Sequence, residues 1–211
     1  MKNFVVKVCG FTRPKDAALA AQLGADMIGM IFYRKSPRWV SQKIAKTIVS
    51  IIPPTVARVG VFVDLDTNAV LRVARRLQLD YIQLHGDYSK KDINRIHLGG
   101  FKVIKVFHIT TKSDYTSVMT SSADLVLLDN RTGGRSGGTG QRFDWGISPP
   151  KKISNLVLAG GITADNVEEG IKRFSPLMVD VNSGVESSPG IKSAAKLRDF
   201  FTLCNRLRYG K

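Results

Sequence analysis

The chain has few cysteines, few acidic residues and no long apolar run. It holds two cysteines in 211 residues, Cys9 and Cys204, which excludes a disulfide-stapled scaffold. Both are expected as free thiols. Cys–x–x–Cys and His–Glu–x–x–His spacings are absent, so no metal centre is expected. No apolar stretch approaches the roughly 18–20 residues of a membrane span. The opening MKNFVVKVCG has no basic segment followed by an apolar run and a small-residue cleavage site, which predicts a cytoplasmic protein with no membrane partner.

Acids number 17 against 32 lysines and arginines, a formal net charge of +15. Such an imbalance raises nucleic acid as a partner. The cations, however, are spread through 34–46, 129–152 and the end of the chain, and no aromatic–basic motif accompanies them. From Lys192 to Lys211 six basic residues accompany one acid, on a helical pattern whose apolar face is Ala195, Leu197, Phe200, Phe201 and Leu203. A solvated basic face is the reading preferred over a binding surface.

Short β-branched runs alternate with longer segments of helical period along the whole chain. Strands are expected at 4–9, 26–32, 57–63, 80–84, 102–107, 124–128, 155–159 and 177–181. Helices are expected at 13–23, 41–51, 66–78, 89–97, 112–121, 163–173 and 190–207. After the sixth strand the sequence is mostly Gly, Ser, Thr and Arg, so one helix there must be short or missing. Near-continuous apolar strands separated by amphipathic helices imply a parallel sheet covered on its faces. Eight such units predict a compact (β/α)8 TIM barrel, a single domain over 1–211 with a long glycine-rich loop after strand six. A doubly wound open sheet is the competitor, but CGFTRP after the first strand is no dinucleotide fingerprint.

In such a barrel the chemistry sits at the C-terminal ends of the strands. That rule selects Cys9, the segment Arg34 to Arg38, Asp64, Gln83 and His85, His108, Asp129, Gly160 and Gly161, and Asp180 to Gly184. LVLAGGIT (156–163) ends an apolar strand in two glycines before a helix that Thr163 could cap, so backbone N–H groups there can approach an anion. VDVNSGVE (179–186) repeats the device one strand later, where barrels commonly bind phosphate. A tight turn is the alternative for either alone. The loop 129–144, with five glycines in sixteen residues against a background of about 7%, is expected to cover a substrate. Asp129 opens it from a rigid strand end, a good seat for a general acid. Cys9 is either a buried packing thiol or, near cations at the mouth, a thiol of lowered pKa able to take a proton. Cys204, on the last helix, is expected only to pack. One arginine of FYRKSPRWVS (32–41) could hold a carboxylate bidentately.

Together VKVCGFTRPKDA (6–17), GADMIGMIFYRKSPRWVS (24–41), VGVFVD (59–64), YIQLHGD (81–87), LLDNRTGGRSGGTGQRFDW (127–145), LVLAGGITADNV (156–167) and VDVNSGVESSPGIK (179–192) resemble the phosphoribosylanthranilate isomerase family. The likeness runs from about Val6 to Phe201. It implies an Amadori rearrangement in tryptophan biosynthesis, turning N-(5-phosphoribosyl)anthranilate into 1-(2-carboxyphenylamino)-1-deoxyribulose 5-phosphate without cofactor or metal. By that resemblance Asp129 is the general acid and Cys9 the general base. Arg38 would hold the anthranilate carboxylate, and the amides around Gly161, Asn182 and Ser183 the phosphate. Gln83, His85, Gly160 and Asp180 complete the expected substrate contacts, in a monomer or homodimer. Two positions depart from the family pattern: Asn182 stands where serine is usual, and Arg135 adds a cation to the glycine loop. The related histidine-pathway isomerases place an aspartate at the end of strand one, and Cys9 speaks against them.

Overall fold

The structure, a computed structural model, describes residues 4–129, 131, 132, 135, 136 and 145–210. Eight parallel strands close into a barrel: β1 (Val5–Val8), β2 (Met27–Ile31), β3 (Ala57–Val63), β4 (Tyr81–His85), β5 (Lys102–His108), β6 (Leu125–Asp129), β7 (Leu156–Leu158) and β8 (Met178–Val181). Each pairs with its neighbours in sequence, and β8 returns to β1 in the register Val5↔Met178 to Val8↔Val181. Helices α1 (Pro14–Leu23), α2 (Gln42–Ile51), α3 (Thr67–Arg76), α4 (Lys90–Leu98), α5 (Tyr115–Met119), α6 (Val167–Phe174) and α7 (Ala194–Tyr209) follow the strands. Between β6 and β7 no helix occurs among the described residues.

Local chemistry accounts for most boundaries. Pro14 opens α1, where its missing N–H costs nothing, and Gly24 ends it in the left-handed region at φ 104°. Ser41, Asp66, Ser89 and Ser193 cap α2, α3, α4 and α7 through their side-chain oxygens. The alternation of side chains along the strands divides the core in two. One set, including Val59, Ile104, Val106, Leu127 and Val157, fills the barrel. The other, including Val6, Val8, Ile28, Ile82, Leu84 and Val179, meets the helices.

Two expected helices begin later than their patterns imply. Thr163 does not cap α6: its hydroxyl accepts from the Asp165 N–H at 3.2 Å, and the Asn166 Oδ1 takes the Thr163 N–H at 2.9 Å. This closed turn delays the helix to Val167. Residues 190–192, expected to open the last helix, instead turn through Gly190 at φ +81° and pair Ile191–Lys192 antiparallel with Glu186–Ser188. The expected helix over 112–121 is a single 3₁₀ turn, Lys112–Asp114, running into α5.

The basic face of α7 is also not wholly solvated. Lys196, Arg198 and Arg206 are exposed, whereas Arg208 is buried against Asp26, and Lys192, just before the helix, is buried as well. Ala195, expected on the apolar face, is exposed, and Cys204 takes a buried place there.

Candidate active site

Cys9 follows the last residue of β1 and donates its backbone N–H to Val181 O of β8 at 2.9 Å. The sulfur has room because β2 carries glycine opposite it: a Cβ on Gly29 would lie 2.7 Å from Sγ. Two residues earlier on the same face stands Lys7, wholly buried, with Nζ 2.7 Å from Asp180 Oδ2. Burial alone would lower the Lys7 pKa, but the Asp180 carboxylate and Cys9 hold the ammonium above its ordinary value.

Of the two readings of Cys9, a buried thiol or one of lowered pKa, the structure has the first. Burial pushes the thiol up, and the cations Lys7 and Lys192 only partly oppose it. Asp180, expected on the substrate, is committed to Lys7 through Oδ2, and its other oxygen is buried with no hydrogen-bond partner among the described residues.

The next two strand ends, β7 and β8, form a cradle. Gly160 and Gly161 both take the left-handed conformation, φ +74° and +73°. After β8, Asn182 leads into a 3₁₀ turn, Ser183–Val185, and Gly184 rests directly on the Ile162 carbonyl. Among the described residues, no backbone bond outside the helices and strands uses the N–H of Gly160, Gly161 or Ser183. Adjacent turns whose amides are not engaged in such bonds suit an anion with several acceptor oxygens.

Arg38 is buried rather than waving in a solvated loop. Its Nε reaches both oxygens of Glu186 at 3.0 and 3.1 Å, and Nη2 reaches Oε2 at 2.7 Å. This side-on clamp fixes the guanidinium plane and uses Nε and Nη2, while no hydrogen bond of Nη1 is made among the described residues. Lys192 Nζ braces Glu186 at 3.0 Å and holds Asn182 through its carbonyl and Oδ1, at 3.1 and 3.0 Å. Burial would raise the Glu186 pKa, but the two cations more than offset it and hold the carboxyl below the usual range. Gly10 permits the assembly, since a Cβ there would strike Asn182 Oδ1 at 2.6 Å and Arg38 Cδ at 2.9 Å.

On the far rim, Gln83 and His85 project inward from β4, and His108 from β5. The Gln83 Oε1 is buried with no hydrogen-bond partner among the described residues, and the His85 and His108 Nε2 atoms meet at 3.3 Å. Burial, with help from His108 and Lys105, lowers the His85 pKa to about 4, so its ring is neutral near pH 7. Asp129 ends β6 in register with His108 and is half-buried. The glycine-rich segment after it, expected to cover a substrate, lies outside the described residues, Arg135 side chain included, apart from a short ladder, Arg131–Thr132 against Arg135–Ser136.

Lys7, Glu186 and Lys192 escape a reading that looks only at strand ends. Lys7 carried a signal: one cation in the apolar run FVVKVC, two residues before Cys9, must share its face. Glu186 and Lys192 carried none, because a hairpin hidden in a helical pattern brings them to the mouth.

A protein-family model described as N-(5'phosphoribosyl)anthranilate (PRA) isomerase matches residues 6–203. N-(5'-phosphoribosyl)anthranilate isomerase of Stutzerimonas stutzeri (strain A1501) is 42% identical over 194 residues, covering 92% of this chain and 93% of its own. A solved phosphoribosyl anthranilate isomerase in complex with reduced 1-(o-carboxyphenylamino)-1-deoxyribulose 5-phosphate is 33% identical, with a TM-score of 0.86 over 99% of this chain and 100% of that one. Monomers generated from the dimeric enzyme of Thermotoga maritima are 33% identical, with a TM-score of 0.86 over 96% of this chain and 98% of theirs.

Proposed function

The chain belongs to the N-(5'-phosphoribosyl)anthranilate isomerase family, and from that premise we propose that Cys9 and Asp129 divide its proton transfers between a general base and a general acid. The chain is an isomerase of tryptophan biosynthesis that acts on a phosphorylated sugar amine. One observation carries the assignment of roles. Around the barrel the strands run β6, β7, β8, β1, so a phosphate cradled at Gly160–Gly161 and Asn182–Ser183 has Asp129 on one flank and Cys9 on the other.

With the phosphate anchored, the ribose ring spans the mouth. Asp129 gives its proton to the ring oxygen as the C1–O bond breaks and the nitrogen lone pair forms the C1=N iminium. The Cys9 thiolate then takes the C2 proton: S–H forms, C2–H breaks, and the electron pair moves through C1 to neutralise the iminium nitrogen. The resulting enolamine ketonises at C2. The iminium is itself the electron sink, so the chemistry needs neither cofactor nor metal. The Nη1 side of Arg38 receives the anthranilate carboxylate, its plane set by Glu186. Gln83, with its buried Oε1, and neutral His85 offer polar contacts to the open-chain sugar, and Asp180 acts from beneath through Lys7.

In the same reading residues 1–211 form one barrel domain. It works in the cytoplasm as a monomer or homodimer, and its partner is the small substrate rather than nucleic acid.

Phosphoribosylanthranilate made in situ loses its fluorescence as it is consumed, which gives the assay. Asp129→Asn and Cys9→Ser should each lower kcat by about 10²–10⁴-fold, with KM moving far less. Near-wild-type kcat in Cys9→Ser would move the base to another group.

A further inference from the structure

A lysine with no exposed surface is rare, and a buried ion pair is a poor device for stability, since apolar residues of similar volume serve as well or better. Lys7 and Asp180 form such a pair inside the barrel, 173 residues apart in sequence and opposite one another in the β1–β8 register. The strand neighbour of Lys7 on β2 is Met27, and the interior around the pair is apolar, with Met178 and Val157. Among the described residues Lys7 Nζ donates to Asp180 Oδ2 at 2.7 Å, and a side-chain hydrogen bond also couples it to Cys9. The pair therefore has a cost that packing alone does not explain.

We propose that Lys7, anchored by Asp180, is a positioning residue for the proton transfer at C2, supplying from inside the barrel the counter-charge that makes Cys9 easier to ionise than its burial alone would allow. The proposal rests on the reading of Cys9 as the base. Lys7 and Cys9 lie two residues apart on the inward face of β1, and the space on β2 is taken by Gly29, which brings no charge. The charged groups facing Cys9 are Lys7 from its own strand, Asp180 from β8 and Lys192 from the hairpin after β8. Lys192 already serves Asn182 and Glu186, and Asp180 opposes ionisation. Lys7 is the largest influence favouring the thiolate against burial.

The role conserves every proton. Lys7 keeps all three hydrogens throughout, and only the sulfur gains one, from C2. The ammonium acts before transfer, when the buried sulfur would otherwise hold an uncompensated negative charge. Asp180 keeps Lys7 protonated and fixes Nζ below the sulfur.

The thiol itself provides the test. In a Cys204→Ala background Cys9 is the sole thiol, and its titration is followed by thiolate absorbance near 240 nm and by the pH dependence of alkylation. Lys7→Met leaves the Asp180 carboxylate stranded, so Lys7→Met/Asp180→Asn, which removes both charges, accompanies it, and Lys7→Arg restores the cation. In Lys7→Met the thiol titration should move alkaline by about one pH unit or more, and in the double variant, which also loses the opposing Asp180 charge, it should move alkaline by a smaller but measurable amount. The acid limb of kcat/KM should move with it, giving in Lys7→Met a loss of about tenfold or more at pH 7 that recovers at higher pH. Lys7→Arg should stay nearer the wild type. An unmoved thiol titration in the double variant overturns the proposal, whatever happens to kcat, because a structural role would lower activity without changing the titration. Wild-type kcat in Cys9→Ser would instead bring down the base assignment, which the thiol titration does not depend on.

Discussion

Gly184→Ala tests the cradle with the smallest possible change. The added Cβ would lie 2.0 Å from the Ile162 carbonyl oxygen, 3.0 Å from its carbon and 3.2 Å from Thr163 Cα. Ordinary contacts of this kind begin beyond 3 Å, so the gap must open by about 1 Å. All three atoms are backbone, so no rotamer can relieve the contact, and Gly184 is not among the glycines of positive φ, so conformational strain adds nothing. The two turns carrying Gly160–Gly161 and Asn182–Ser183 must therefore separate. Overpacking of this kind costs about 1–3 kcal/mol of stability. A hydrogen bond of about 2.9 Å stretched by 1 Å is lost, and each bond to a charged phosphate is worth about 1.5–3 kcal/mol.

Loss of one such bond raises KM by roughly 10–150-fold. The phosphate is remote from C1 and C2, so ground and transition states weaken together and kcat should hardly change. Fluorescence progress curves give KM and kcat, competition by inorganic phosphate gives the anion affinity, and urea unfolding gives the stability. A variant destabilised as expected but with unchanged KM and unchanged phosphate competition would refute the assignment of these turns to the phosphate.

Two further predictions use the same assay or its stability counterpart. Arg38→Lys keeps the charge but loses the fork that Glu186 now clamps at 2.7 to 3.1 Å; KM should rise by an amount equivalent to roughly 1–3 kcal/mol, and an unchanged KM would place the anthranilate carboxylate elsewhere. His85 has a pKa of about 4 when folded, lowered chiefly by burial, against an ordinary 6.5. The unfolded chain therefore binds this proton first, and stability is full above pH 6.5 and lost as pH falls toward 4, by roughly 3 kcal/mol in all. Urea midpoints between pH 7 and 5 should fall less steeply in His85→Gln, and equal slopes would show that the imidazole is not held neutral.

The sequence by itself determined the eight strands, most of the helices and the end of the barrel where chemistry belongs. Alternation and helical period are local, and each strand reports its own faces. Cys9, Asp129, His85 and the glycine turns could be placed at the mouth because they stand at strand ends. Boundaries failed where side chains overrode the period: Asn166 closing the turn before α6, and Gly190 folding a hairpin out of an apparent helix. Only closure of the barrel decided which charges lost their water. Lys7 meets Asp180 because β8 returns beside β1, Arg38 meets Glu186 across 148 residues, and Lys192 turns inward from a stretch whose composition reads as solvated. These pairings depend on register and on burial across the whole chain. The same cause raised the Cys9 thiol and decided between its two readings: proximity to cations is legible in a strand-end motif, but desolvation exists only once the barrel has closed around it.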